Sequence, residues 1–224
     1  MKRLMTSQLP LDLKHAPSFA SEDFLMLPCN SDAVNMLQGW PDWPSHAVAL
    51  VGPKGSGKSH IGHAWCIKSD AIILKPNSDI TTLNDGANIF VDNADDGDFP
   101  EDMLFHIYNW AKETSGSILF TGKNAPNRWP VQLPDLKSRL ATLTVTSIGS
   151  PDEEALAMIL AKLFSDRQLV IDDNILPFLV TRMERSFETA ITIVEELDHL
   201  SLVRKRRLTR VLAKEVIEKL EDQL

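Results

Sequence analysis

Residues 48–59 read Val48-Ala49-Leu50-Val51-Gly52-Pro53-Lys54-Gly55-Ser56-Gly57-Lys58-Ser59. The first four are a short apolar β-rich run. The last eight match GxxxxGK[ST] in full, and a helical pattern starts near Lys58. Each residue type has a physical task in such a loop. Glycines let backbone N–H groups turn inward around a phosphate, and the following helix start adds positive potential. Lys58 reaches toward the outer phosphates, and the Ser59 hydroxyl is a ligand for Mg²⁺. At average residue usage a chance match in a chain of this length is on the order of one per cent. The stretch therefore reads as a nucleotide-binding loop, with Gly52, Pro53, Lys54, Gly55, Ser56, Gly57, Lys58 and Ser59 as the cradle.

A phosphate-bound Mg²⁺ also needs a carboxylate at the end of a neighbouring buried strand. Ile89-Phe90-Val91-Asp92 supplies it, with Asn93 next to it. Asp92 is the expected metal partner alongside Ser59. Asn93 stands where a hydrolysing enzyme often carries a carboxylate, and an amide cannot act as a general base at neutral pH. Hydrolysis by the chain alone is expected to be weak or absent.

The surrounding pattern is β-rich runs alternating with helical stretches. Runs at 48–51, 72–74, 89–91, 118–121 and 143–146 are short and continuously apolar, as in strands covered on both faces. Helical stretches fall between several of them, at 60–67 and 103–112. This alternation predicts an α/β three-layer core with a parallel sheet. After Ser150 the β signal stops. Pro151-Asp152-Glu153-Glu154 reads as a helix opening with proline in the first turn. Further helices are expected from Asp172 or Asp173 (apolar stripe Ile175, Leu176, Leu179), through Ile191, Val194 and Leu197, and through Val211, Val216 and Leu220. The predicted division is a tail at 1–18, an α/β core at 19–150 and a small all-helical lid at 151–224.

Composition narrows the class. Of 224 residues, 43% are hydrophobic and 24% charged, with 23 basic against 31 acidic side chains and a net charge of −8. That balance argues against a protein that coats DNA through its overall field. The cluster Arg204, Lys205, Arg206, Arg207 and Arg210 reads first as a solvated helix end with favourable dipole placement. Two cysteines without CxxC spacing fit a reducing compartment. The amino-terminal stretch lacks a continuous apolar region, so no secretory leader is expected. No run approaches the ~18 apolar residues of a membrane-spanning helix. The cytoplasm is the expected address. His60 and His63 lack a convincing third ligand and read as ordinary helix histidines. The five tryptophans are scattered, so base stacking is not indicated.

The ordered set of the phosphate loop, "IFVDN", "ILFTGKNAP", "LPDLKSRL" and a short helical lid resembles AAA+ proteins of the DnaA type, and more narrowly the Hda group of DnaA-related regulators. The resemblance runs from Gln8 to the last helix. It implies a P-loop NTPase (AAA+) fold, ADP or ATP with Mg²⁺ as cofactors, and DnaA as a partner. Gln8-Leu9-Pro10-Leu11-Asp12-Leu13 resembles the peptide by which that group docks on the DNA polymerase III beta sliding clamp. Gln8 would be the amide anchor and Leu9, Leu11 and Leu13 the apolar plugs. Within "DLxSRL", Arg139 matches the family's arginine finger, which would act in trans on ATP held by DnaA. The chain stops at Leu224 with no basic helix-turn-helix following, so strong direct duplex binding is not expected; a homo-oligomer is left open.

Two positions depart from the family pattern. Lys123 stands where relatives commonly carry Asp, and Glu188 occupies the lid position where relatives place a phosphate-contacting arginine. A carboxylate there repels a triphosphate, which favours ADP over ATP. Arg185, three residues earlier and on the same helix face by spacing, is the expected substitute ligand. The implied function is a replication-initiation regulator that docks on the clamp and stimulates hydrolysis of DnaA-bound ATP. The alternatives are an autonomous AAA+ ATPase, or an initiator or loader acting on DNA.

Overall fold

A computed structural model describes residues 25–204 and 207–221. The clamp-type peptide at Gln8, Leu9, Leu11 and Leu13, the tail 1–18, and Lys205 and Arg206 lie outside the described residues. The rest forms two compact units that part between Ala155 and Leu156.

In the first unit the continuous apolar runs become the strands of one parallel sheet. They are β1 (Ala47–Val51), β2 (Ile72–Leu74), β3 (Ile89–Val91), β4 (Ile118–Gly122) and β5 (Thr144–Ser147). The order is β2-β3-β4-β1-β5. Every residue of β1, β3 and β4 is buried, as expected for inner strands with helices on both faces. The edge strands are wetter: Ile72 and Ile73 of β2 are exposed. Val51 is level with Gly122 on one side and Ser147 on the other. The carboxyl ends of three strands therefore finish together, and the phosphate loop leaves from the middle one.

The helices of this unit are α1 (Ser31–Gln38), α2 (Lys58–Ser69), α3 (Glu101–Thr114) and α4 (Pro134–Leu140). α3 opens with Glu101 and Asp102 at its positive end and buries Met103, Leu104, Ile107, Tyr108 and Ala111. Those residues join Leu136 and Leu140 of α4 against the sheet. α1 and α4 escape a periodicity reading because eight and seven residues give too few turns. α2 lies close over β3: a Cβ on Gly62 would run into the Phe90 ring. Three of the scattered tryptophans meet, with Trp43 stacked on Trp65 at 5.1 Å and Trp40 edge-on to it at 6.3 Å. They fasten the segment before β1 onto α2.

The second unit is all helical. α5 (Glu153–Asp166) leads into it from Ala155, and α6 (Ile175–Val180), α7 (Phe187–Arg204) and α8 (Arg210–Glu221) complete it. Leu156, Leu160, Phe164, Ile175, Leu179, Ile193, Val194, Leu197, Val216 and Ile217 form its apolar core. Several local expectations are corrected. Pro151 precedes the cap of α5 instead of sitting in the first turn, because Asp152 Oδ1 accepts the Ala155 N–H at 2.8 Å. The second helix starts at Ile175, after a turn closed by the Asp172 carbonyl. Val211 is 78% exposed, and Leu212 and Ala213 take its place in the stripe of α8. Arg185 is not on a helix face. Ser186 Oγ caps α7 by accepting the Thr189 N–H at 3.0 Å, which leaves Arg185 in the preceding loop. The basic run is also split: Arg204 ends α7, but Arg210 begins α8, the positive end of a dipole.

Candidate nucleotide-binding site

β1 delivers Gly52 to the carboxyl edge of the sheet, where its N–H donates to the Gly122 carbonyl at 3.2 Å. The loop then turns through Gly55 at φ 76° and Gly57 at φ 89°. This left-handed backbone is open to glycine and strained for residues with a Cβ. Gly57 is the cap residue of α2 and has no side chain to satisfy the first-turn amides. Ser56 Oγ is buried with no hydrogen-bond partner. A group bearing several anionic oxygens fits this donor set: helix-start amides with no side-chain cap, an orphaned hydroxyl and a lysine.

Lys58 is only 6% exposed. Its Nζ donates to the carbonyls of Gly52 at 2.8 Å and Pro53 at 2.9 Å. Burial pushes its pKa below the usual lysine range; Asp95 and Asp92 push it back up, and the Lys123 charge lowers it. Ser59 Oγ donates to Asp92 Oδ1 at 3.0 Å. The same oxygen accepts the hydroxyl of Thr121, a fully buried residue of β4. Thr121 Oγ in turn accepts the Asn93 N–H at 2.8 Å and its carbonyl takes the Ala94 N–H. Asn93 sits at φ 53°, held there by those bonds. Asp92 and Ser59 thus form a pair of hard oxygen donors suited to Mg²⁺.

Two participants were not read from the sequence. Thr121 ends an apolar run and had only its polarity, at a strand's last buried position, to mark it. Asp95 follows Asp92 by three residues. Its Oδ2 accepts the N–H groups of Lys123 at 2.8 Å and Asn124 at 3.0 Å, tying the loop after β3 to the loop after β4. The side chain of Lys123 pairs with Asp96 at 3.0 Å. The departure at Lys123 therefore puts a second cation beside the cradle, balanced by acids from the loop after β3.

Comparison with known proteins agrees with this architecture. A family model described as Hda, lid domain, matches residues 152–217. Domain III of the Thermotoga maritima replication initiation protein DnaA superposes with a TM-score of 0.74 at 17% identity, covering 91% of this chain and 97% of that one. Residues 152–217 thus match the lid of the Hda family, and the chain shares the P-loop fold of DnaA domain III. The Thermotoga maritima RuvB Holliday junction branch migration motor shares the fold at a TM-score of 0.66 and 17% identity, over 91% of this chain and 72% of that one. A replication initiator DnaA bound to AMPPCP and single-stranded DNA matches at 0.61 and 15% identity, over 85% and 68%.

Arg139, the predicted finger, lies apart from the cradle within the α/β unit. Arg139 is in the last turn of α4, just before β5 begins. Its guanidinium carbon lies 5.8 Å from the centre of the Tyr108 ring, which also packs on His46 immediately before β1. That places Arg139 at the amino edge of the sheet, while the cradle occupies the carboxyl edge. It lines a groove of about 690 Å³ with Ile80, Leu83, His106 and Trp110. Arg185 and Glu188 are both exposed on the lid. His63 Nδ1 donates to the Ser59 carbonyl at 2.6 Å, and its ring packs edge-on with Phe90. Among the described residues no group of three His, Cys, Asp or Glu could hold a metal by itself. No helix there is long and apolar enough to cross a membrane.

Proposed function

We propose that this protein is a nucleotide-binding regulator of DNA replication initiation. In this reading it docks on the sliding clamp through Gln8, Leu9, Leu11 and Leu13 and promotes hydrolysis of ATP held by DnaA. The observation that carries the proposal is the separation of the two functional ends of the core. The cradle Gly52–Ser59 and Arg139 sit at opposite edges of one parallel sheet, so the guanidinium cannot serve the nucleotide of its own chain. A cation so placed is useful to a neighbour's nucleotide. The Hda-type lid supports the choice of a DnaA-related neighbour.

ADP or ATP would be held by the loop amides, Lys58 and the α2 start, with Ser59 and Asp92 on Mg²⁺ and Asn93 beside them. Arg185 would supply a lid contact. The bound nucleotide supplies negative charge that organises the loop. The chain's own residues do the rest: Lys58 balances the phosphates, Thr121 holds Asp92 in place, and Asn93 offers an amide without a base. Turnover by the chain alone is accordingly weak. Charge developing on the DnaA-bound phosphoryl group is stabilised by Arg139, an effect of the size ~10³–10⁵ in rate for such fingers. The tail raises the local concentration of that finger near loaded clamps.

The deciding experiment measures ATP turnover by DnaA with clamp loaded on DNA. Wild-type chain is expected to accelerate it, and Arg139→Ala to lose at least ~10²-fold of that acceleration. Gln8→Ala should lower it through docking alone. No acceleration by wild type removes the regulatory reading, and full acceleration by Arg139→Ala removes its mechanism.

A further inference from the structure

The lid carries exposed arginines that the nucleotide chemistry leaves unused. Residues 156–224 hold eleven Lys/Arg and twelve Asp/Glu, a net charge of −1, whereas residues 19–155 hold nine and eighteen, a net charge of −9. The acidic balance of the chain therefore belongs to the other unit. Within the lid the charges are not mixed: residues 199–214 contain six Lys/Arg and no acid.

Two arginines converge beside this run. Arg182 lies in the turn after α6, with its guanidinium carbon 4.6 Å from the centre of the Phe178 ring. Arg210, the first residue of α8, lies 4.9 Å from the same centre. The two charges are thus within about one Debye length, ~10 Å, of each other. Phe178 is buried, while Arg182, Arg207 and Arg210 are exposed. Among the described residues neither Arg182 nor Arg210 has a carboxylate within ion-pair distance. Arg210 also stands at the positive end of the α8 dipole, where a cation is disfavoured. Contact with the ring holds both guanidiniums near one another, and each exposed guanidinium can offer a bidentate acceptor its N–H groups.

We propose that this face of the lid binds the phosphodiester backbone of nucleic acid, with Arg182 and Arg210 as paired phosphate ligands and Arg207 beside them. A phosphodiester strand is favoured because two guanidiniums held within ~10 Å of each other suit a repeating line of anions. Among the described residues of the lid no exposed Phe, Tyr or Trp accompanies it, so the contact reads backbone charge and not base identity. The binding is modest, salt-sensitive and indifferent to sequence.

The test is fluorescence anisotropy of a labelled mixed-sequence duplex with the full chain, titrated between ~50 and ~200 mM salt. For Arg182→Gln/Arg210→Gln, the slope of log K against log salt is expected to flatten by about 1.8, since each phosphate contact contributes ~0.9. Arg182→Lys/Arg210→Lys keeps the charge and should keep the slope. Should the double glutamine variant fail to fold by circular dichroism, Arg210→Gln alone must flatten the slope by ~0.9. The proposal is overturned if wild type shows no binding at the lowest salt, or if the glutamine variants retain the wild-type slope. It is equally overturned if those variants lose only the association with an acidic protein.

Discussion

The two units of this protein hold their shape by different means. The α/β unit brings its functional edge together with polar bonds between loops: Ser59 and Thr121 on Asp92, Asn93 on Thr121, Lys123 and Asn124 on Asp95. The lid relies on a small apolar core, and ion pairs such as Arg167 with Glu195 and Lys219 with Glu196 lie on its surface. Exposed pairs of that kind contribute little to stability. The contrast teaches where each kind of information sits. Chemistry common to many nucleotide binders is written in the core, in a motif of eight residues. The match to the Hda lid domain falls on the unit gathered around that apolar core.

The sharpest way to break this contrast is to cut the lid's core. Leu160 is fully buried there, and Leu160→Ala should cost about 2–5 kcal/mol through lost burial and a residual cavity. Hydrogen exchange should show α5 to α8 losing protection while the amides of β1 and β4 keep theirs. Equal loss in both units would mean that they unfold as one, and the comparison would fail.

A smaller effect is expected from the core's polar network. Thr121→Val keeps the shape but removes the donor to Asp92 and the acceptor of the Asn93 N–H. Leaving the Asn93 N–H unpaired and Asp92 with only Ser59 of its two hydroxyl donors should cost about 1–3 kcal/mol. It should also weaken ADP binding, measured with a fluorescent analogue, because Asp92 is no longer held toward Ser59. Wild-type affinity in that variant would show that the site does not depend on the strand-end hydroxyl.

The smallest effect is a pH dependence confined to the core. Burial, followed by the charge of Lys112, pushes the His46 pKa below the usual 6.5, although a backbone bond at Tyr108 works the other way. The unfolded chain therefore binds the proton more readily than the folded one. The histidine's contribution to stability is intact above pH 6.5 and declines as pH falls through the lowered folded value. Urea midpoints taken from pH 7.5 downward should drop, and His46→Phe should flatten part of that decline. A lid reporter should not follow the same change.

Much of this was legible from local pattern. The five strand runs were visible as continuous apolar stretches, and the loop between β1 and α2 as a motif. Other features depend on what lies opposite. Val211 looked like a stripe residue, but rotating the stripe by one position buries Leu212 instead, and only the facing helices select between them. Asp95 is one of several acids after β3, and nothing local distinguishes it from Asp96 or Asp98. Its role as the tie between two loops exists only because β4 runs beside β3.

By itself the chain determined which segments are strands and helices, where the phosphate loop lies, and that its last third lacks β structure. These follow from side-chain periodicity and from the backbone demands of glycine, which act over a few residues. The tertiary structure alone decided the strand order β2-β3-β4-β1-β5. That order sets Thr121 against Asp92, Asp95 against Lys123, and Arg139 on the far edge from the cradle. The physical reason is that strand pairing joins residues distant in sequence, through interchangeable backbone bonds that carry no label of their partner.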